Sequence, residues 1–98
     1  MANQCNVVVL EEVTASRPDD WTLCLQWCRY IYEDRSVEYG YRFIWRWPHT
    51  RKLQAARGQA RIPSVELMQR LISEATAAGW GNKRSEDADY FLPAETGS

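Results

Sequence analysis

The run Glu38–Trp47 constrains the fold more than any other part of the chain. Its odd positions are Tyr39, Tyr41, Phe43, Trp45 and Trp47; its even positions include Gly40, Arg42, Ile44 and Arg46. A helix would scatter these two sets around its circumference. A strand, whose side chains alternate with a period of two, separates them into an aromatic face and a largely guanidinium face. Aromatic residues also favour pleated surfaces over helices. A sheet with two chemically different sides follows, and the aromatic side needs a cover.

Three further segments read as strands. Cys5–Val13 places Val7, Val9 and Val13 at alternate positions, with Glu11 breaking the pattern. Trp21–Tyr32 alternates through Leu23, Leu25, Trp27 and Ile31. A helix there would gather Trp21, Cys24, Leu25, Cys28 and Tyr32 on one face, but the many aromatic and β-branched residues favour a strand. Leu53–Ala60 is a weaker strand, since Gly58 and three alanines offer little to pack. The turns between them are Ala15–Asp20, Glu33–Ser36 and Pro48–Lys52.

A helix follows. Ser64 is a good N-cap, Glu66 complements the helix dipole, and Gly79 supplies the stop. Val65, Met68, Leu71, Ile72 and Ala75 repeat at helical spacing. The predicted fold is therefore α+β: a four-stranded antiparallel meander, then one C-terminal helix packed on one sheet face. Residues 1–81 form the single domain that a 98-residue chain allows, and residues 82–98 form an acidic polar tail, either disordered, as its composition suggests, or docked through Tyr90 and Phe91. A helix about 21 Å long covers roughly two strands, which leaves the other sheet face open. That face is expected to show Arg42, Ile44 and Arg46 beside Tyr30, Tyr32, Cys24 and Cys28.

The formal net charge of −1 hides a segregated pattern. Residues 39–65 contain six bases and no acid, whereas the flanks on both sides are net acidic. The basic residues either pair with those flanks or face an anionic partner. Arg42, Arg46, Arg57 and Arg61, interleaved with aromatics, are candidates for binding single-stranded nucleic acid or another anion. Pairing with acids on neighbouring strands explains the same arginines with fewer assumptions, so nucleic acid is not the favoured partner.

The sequence holds no catalytic or metal-binding constellation. In a strand, Cys24 and Cys28 lie about 13 Å apart, too far to share a zinc ion. His49 is the only histidine and sits in a turn without an evident nucleophile or orienting acid. Adjacent acids such as Glu11–Glu12 and Asp19–Asp20 point in different directions and read as solvated surface. No metal, cofactor or enzymatic activity is expected. The longest apolar run, Val7–Leu10, is far too short to span a membrane, and Met1–Asn6 lacks the features of a signal peptide, so a cytoplasmic location is expected.

What remains is a small non-enzymatic binding or accessory protein that self-associates, as a homodimer, through its open sheet face, with Tyr30, Tyr32 and Ile44 at the contact. Two other readings stand beside it. One is the nucleic-acid surface just described. The other is a small-molecule pocket between sheet and helix, lined by Phe43, Trp45, Met68 and Ile72, residues that also suit a plain core.

Overall fold

The computed structural model describes residues 5–50, 52–54 and 60–90. Three long strands, β1 (Cys5–Ser16), β2 (Thr22–Tyr32) and β3 (Val37–Arg46), form an antiparallel sheet in the order β1-β2-β3. Helix α1 (Val65–Ala77) follows, and two short 3-10 turns, Trp80–Asn82 and Glu86–Tyr90, complete the described chain. The architecture is α+β. Among the described residues, the fourth strand expected over Leu53–Ala60 is limited to one antiparallel bridge, Leu53 with Arg46. Two backbone bonds flank it, Gln54 N–H to the Trp45 carbonyl (2.7 Å) and Trp47 N–H to the Lys52 carbonyl (3.0 Å). Residues 55–59 of that segment lie outside the described residues.

Turn chemistry sets the register. At the β2–β3 hairpin, Tyr32 N–H donates to the Ser36 carbonyl and Arg35 takes a positive φ of 69°. The Asp34 carboxylate accepts from the Ser36 backbone and hydroxyl, which holds its pKa below the ordinary value. The resulting pairs include Leu25 with Phe43, Leu23 with Trp45, Cys24 with Ile44 and Gln26 with Arg42. The predicted division of β3 into two faces is therefore present, and of residues 21–32 all but Trp21 are strand.

β1 departs from simple alternation. Its register against β2 shifts between Val9 and Glu11, a bulge that leaves Leu10 without a partner. A bulge adds one residue and flips the facing of everything beyond it. Val7 and Val9 consequently lie beside Tyr30 and Cys28, whereas Val13 and Ala15 turn to the opposite face, beside Leu25 and Leu23. The three valines do not share one side. The same shift places Glu12 beside Gln26 and Glu11 beside Trp27.

The core occupies the odd-numbered face of β2. Leu23, Leu25, Trp27, Trp45, Leu71, Ala75 and Trp80 form one buried cluster, with Val13, Phe43, Ile62 and Leu67 packed against it. Ser64 caps α1, its hydroxyl accepting from Leu67 N–H at 3.1 Å, and Gly79 (φ 90°) turns the chain after Ala78. The helix buries Leu71 and Ala75, while Val65 and Ile72 remain 61% and 51% exposed. The contact stripe is thus Leu67–Leu71–Ala75, spaced by four, while Val65 and Ile72 lie at its margins and stay largely exposed. Beyond α1, the chain is held at Lys83. Its carbonyl accepts from the Tyr41 hydroxyl (2.5 Å), and its ammonium pairs with Glu11. The Tyr90 side chain and Phe91, the expected docking residues, lie outside the described residues. No helix among the described residues is long and apolar enough to cross a membrane.

Candidate functional site

The second face of the sheet is the candidate site. It is formed by the even-numbered residues of β2 with their register partners: Val7, Val9, Glu12 and Thr14 from β1, and Glu38, Gly40, Arg42 and Ile44 from β3. α1 and Trp80 pack on the opposite side. Even so, Cys24, Gln26 and Cys28 are 0% exposed and Ile44 only 6%. Ile44 therefore does not present the exposed contact surface expected of it. It belongs to a second, smaller buried patch.

Polar side chains from the outer strands line this patch. Gln26 is its centre. Its amide N–H donates to Glu12 Oε2 at 2.6 Å, and its carbonyl oxygen accepts from Arg42 Nε at 2.7 Å. A long aliphatic stem lets arginine cover apolar surface while its head stays hydrogen-bonded. Arg46 NH2 completes the arrangement by bonding Glu12, and the two side chains keep only 25% and 26% of their surface. No buried polar side-chain atom among the described residues lacks a hydrogen-bond partner. A buried amide linking a carboxylate and a guanidinium is costly if left unpaired, and here its nitrogen and its oxygen each have a charged partner.

The electrostatics follow from this arrangement. Burial alone would raise the Glu12 pKa, but hydrogen bonds from Gln26 and Arg46, with the Arg46 charge, hold it below the ordinary 4.5. Burial likewise opposes the charge on Arg46, yet Glu12 more than compensates and raises its pKa. Cys24, buried beside Glu12, is pushed up to about 11. Burial also raises the Cys28 thiol, against the opposing charge of Arg42. Both thiols are protonated and poor nucleophiles at neutral pH.

Toward the β2–β3 hairpin the face becomes apolar. Val9 is exposed, and Val7, Tyr30 and Tyr32 are half-buried. The Tyr30 ring lies beside Gly40, where an added Cβ would meet its Cε1 at 3.9 Å. The Glu38 carboxylate, bonded to the Tyr32 hydroxyl, pushes the tyrosine pKa up to about 12.

The four candidate arginines do not form one surface among the described residues. Arg42 and Arg46 share the open face, but Arg46 is engaged by Glu12. The Arg61 carbonyl accepts from the Trp45 indole (2.7 Å), which ties Arg61 to the helix-covered side. Arg57 lies outside the described residues. Of the pocket residues, Phe43 and Ile72 line an apolar groove of about 320 Å³ between sheet and helix, together with Tyr41 and Trp80. Trp45 is instead buried in the core cluster, and Met68 is half-buried without lining the groove. His49 Nδ1 lies 3.1 Å from Asp20 Oδ2 at an exposed turn. Among the described residues no three histidine, cysteine or acidic side chains converge as metal ligands would.

Sequence reasoning missed Glu12, Gln26 and Val9 as members of this face. Gln26 carried a signal, being the one polar residue in the otherwise apolar run Leu23–Cys28. Glu12 carried none, because the bulge decides which of two adjacent acids reaches Gln26. No known protein-family model, curated protein or solved structure matches the chain.

Proposed function

We propose that this chain is a small non-enzymatic binding or accessory module that works as a homodimer, with the apolar end of its open sheet face buried in the association. The observation that supports this most is the juxtaposition of Val7, Val9, Tyr30 and Tyr32 on the face opposite the helix. Val9 keeps 38% of its surface exposed beside Cys28. Exposed aliphatic and tyrosine surface next to a polar, hydrogen-bonded patch is the composition of a protein interface with its rim. Ile44 has no part in the contact, because it is already buried.

Light scattering on a sizing column tests this reading. The expected mass is twice the 11.4 kDa of the chain, and Val9→Glu should shift it toward the monomer. A wild-type monomer at tens of micromolar would contradict the proposal. A second reading rests on the apolar groove lined by Phe43 and Ile72, which has room for a small uncharged ligand. Failure of apolar dyes to gain fluorescence on the protein would remove it. Binding of single-stranded nucleic acid through Arg42 and Arg46 has less support, because Glu12 already occupies Arg46. It predicts a steep salt dependence that titration with oligonucleotides would reveal.

A further inference from the structure

The two edges of the sheet are not equivalent. β3 carries the bridge to Leu53 near its end, whereas β1 pairs only with β2 among the described residues. An edge strand presents a row of unpaired N–H and C=O groups, and proteins normally blunt such edges with charges, proline or short length. A bulge blunts an edge too, and β1 has one at Leu10, so the edge left open is the regular stretch before it. Cys5-Asn6-Val7-Val8-Val9-Leu10 contains no charge, proline or glycine, and Val8, Val9 and Leu10 keep 42%, 38% and 43% of their surface exposed. Val8 and Val9 point to opposite faces, Val8 beside Arg29 and Val9 beside Cys28, so no single face-to-face contact covers both.

We infer that two copies of this chain join edge to edge, β1 against β1, in an antiparallel pair that makes one continuous six-stranded sheet. The inference rests on the self-association proposed above, and it moves the contact from the open face itself to the β1 edge beside that face. A two-fold axis normal to the sheet keeps each residue on its own face, so directly opposed residues must share facing. Placing Val8 on the axis satisfies this and sets Val7 opposite Val9 of the second copy. Charge selects the same register. A pairing centred on Glu11 or Glu12 would stack acids against acids, whereas the stretch centred on Val8 opposes only uncharged side chains. On the open face, Val7 and Val9 of both copies then form one strip flanked by Tyr30 from each side. β-branched neighbours across a strand pair are the combination that stabilises such sheets.

Val8 gives a direct test, because it lies on the helix-side face, where packing through the open face would not touch it. Val8→Lys and Val8→Glu each place like charges opposite one another across the axis. Each should raise the dimer dissociation constant by about tenfold or more. Mixing the two variants in equal amounts should restore a dimer containing one copy of each, a result that misfolded variants cannot produce. Retained homodimers in both variants would overturn edge pairing while leaving self-association intact. A wild-type chain that stays monomeric would overturn both.

Discussion

The two faces of β2 are both buried, but by different means. On one, Leu23, Leu25 and Trp27 are covered by α1, Trp80 and aromatic rings from β3. Trp27 lies 4.7 Å from Tyr41 and 5.8 Å from Tyr39, centroid to centroid, and Trp21 meets Trp45 edge-on at 6.3 Å. On the other, Cys24, Gln26 and Cys28 are just as inaccessible, yet what bonds to Gln26 is a carboxylate and a guanidinium. The first face is non-directional and depends on volume; the second is directional and depends on every bond being made. The central strand is therefore inaccessible on both sides, beside α1 on one and where Glu12, Arg42 and Arg46 gather around Gln26 on the other.

The difference predicts how each face fails. The largest loss belongs to the covered face. Leu71→Ala empties a fully buried position and should cost about 2–5 kcal/mol in denaturant unfolding. On the open face, Gln26→Leu keeps the volume but strips Glu12 of a donor and Arg42 of an acceptor. It should cost about 1–3 kcal/mol, and an unchanged midpoint would show that the face needs only apolar filling.

Glu12→Gln should cost about 1 kcal/mol at neutral pH, because its pair with Arg46 is only partly buried. Its effect depends on pH. The folded-state pKa of Glu12 lies below 4.5, so its contribution is present above that value and lost as pH falls through the folded pKa. The acid limb of the wild-type stability curve should flatten in the variant, and identical limbs would remove Glu12 from the account. The smallest effect has the opposite sign. Gly40→Ala adds a methyl at ordinary contact distance from Tyr30 in a strand backbone, and should stabilise the fold by about 0.4–1 kcal/mol in the same unfolding assay.

The covered face was largely legible in the sequence, because its signals are local. The alternation of β3 and the Ser64 cap each lie within a few residues, and both match the structure. The open face was legible only in outline. Arg42, Arg46, Cys24, Cys28 and Tyr30 were all placed there, but the arginines' partners were not, since Glu12 lies far away in the chain and reaches Gln26 only through the β1 bulge. Ile44 looked exposed because periodicity reports which face a residue takes, not whether that face is covered. The strand expected over Leu53–Ala60 shows the converse limit, with only the Leu53 bridge among the described residues.

Native-state thiol labelling read by mass spectrometry tests most directly whether the second face is closed in the folded chain. The chain holds three cysteines: Cys5 is exposed, and Cys24 and Cys28 are buried in that face with raised pKa values. The account predicts rapid modification of Cys5 alone, with Cys24 and Cys28 reacting only on unfolding. Modification of either Cys24 or Cys28 at the rate of Cys5 would contradict it.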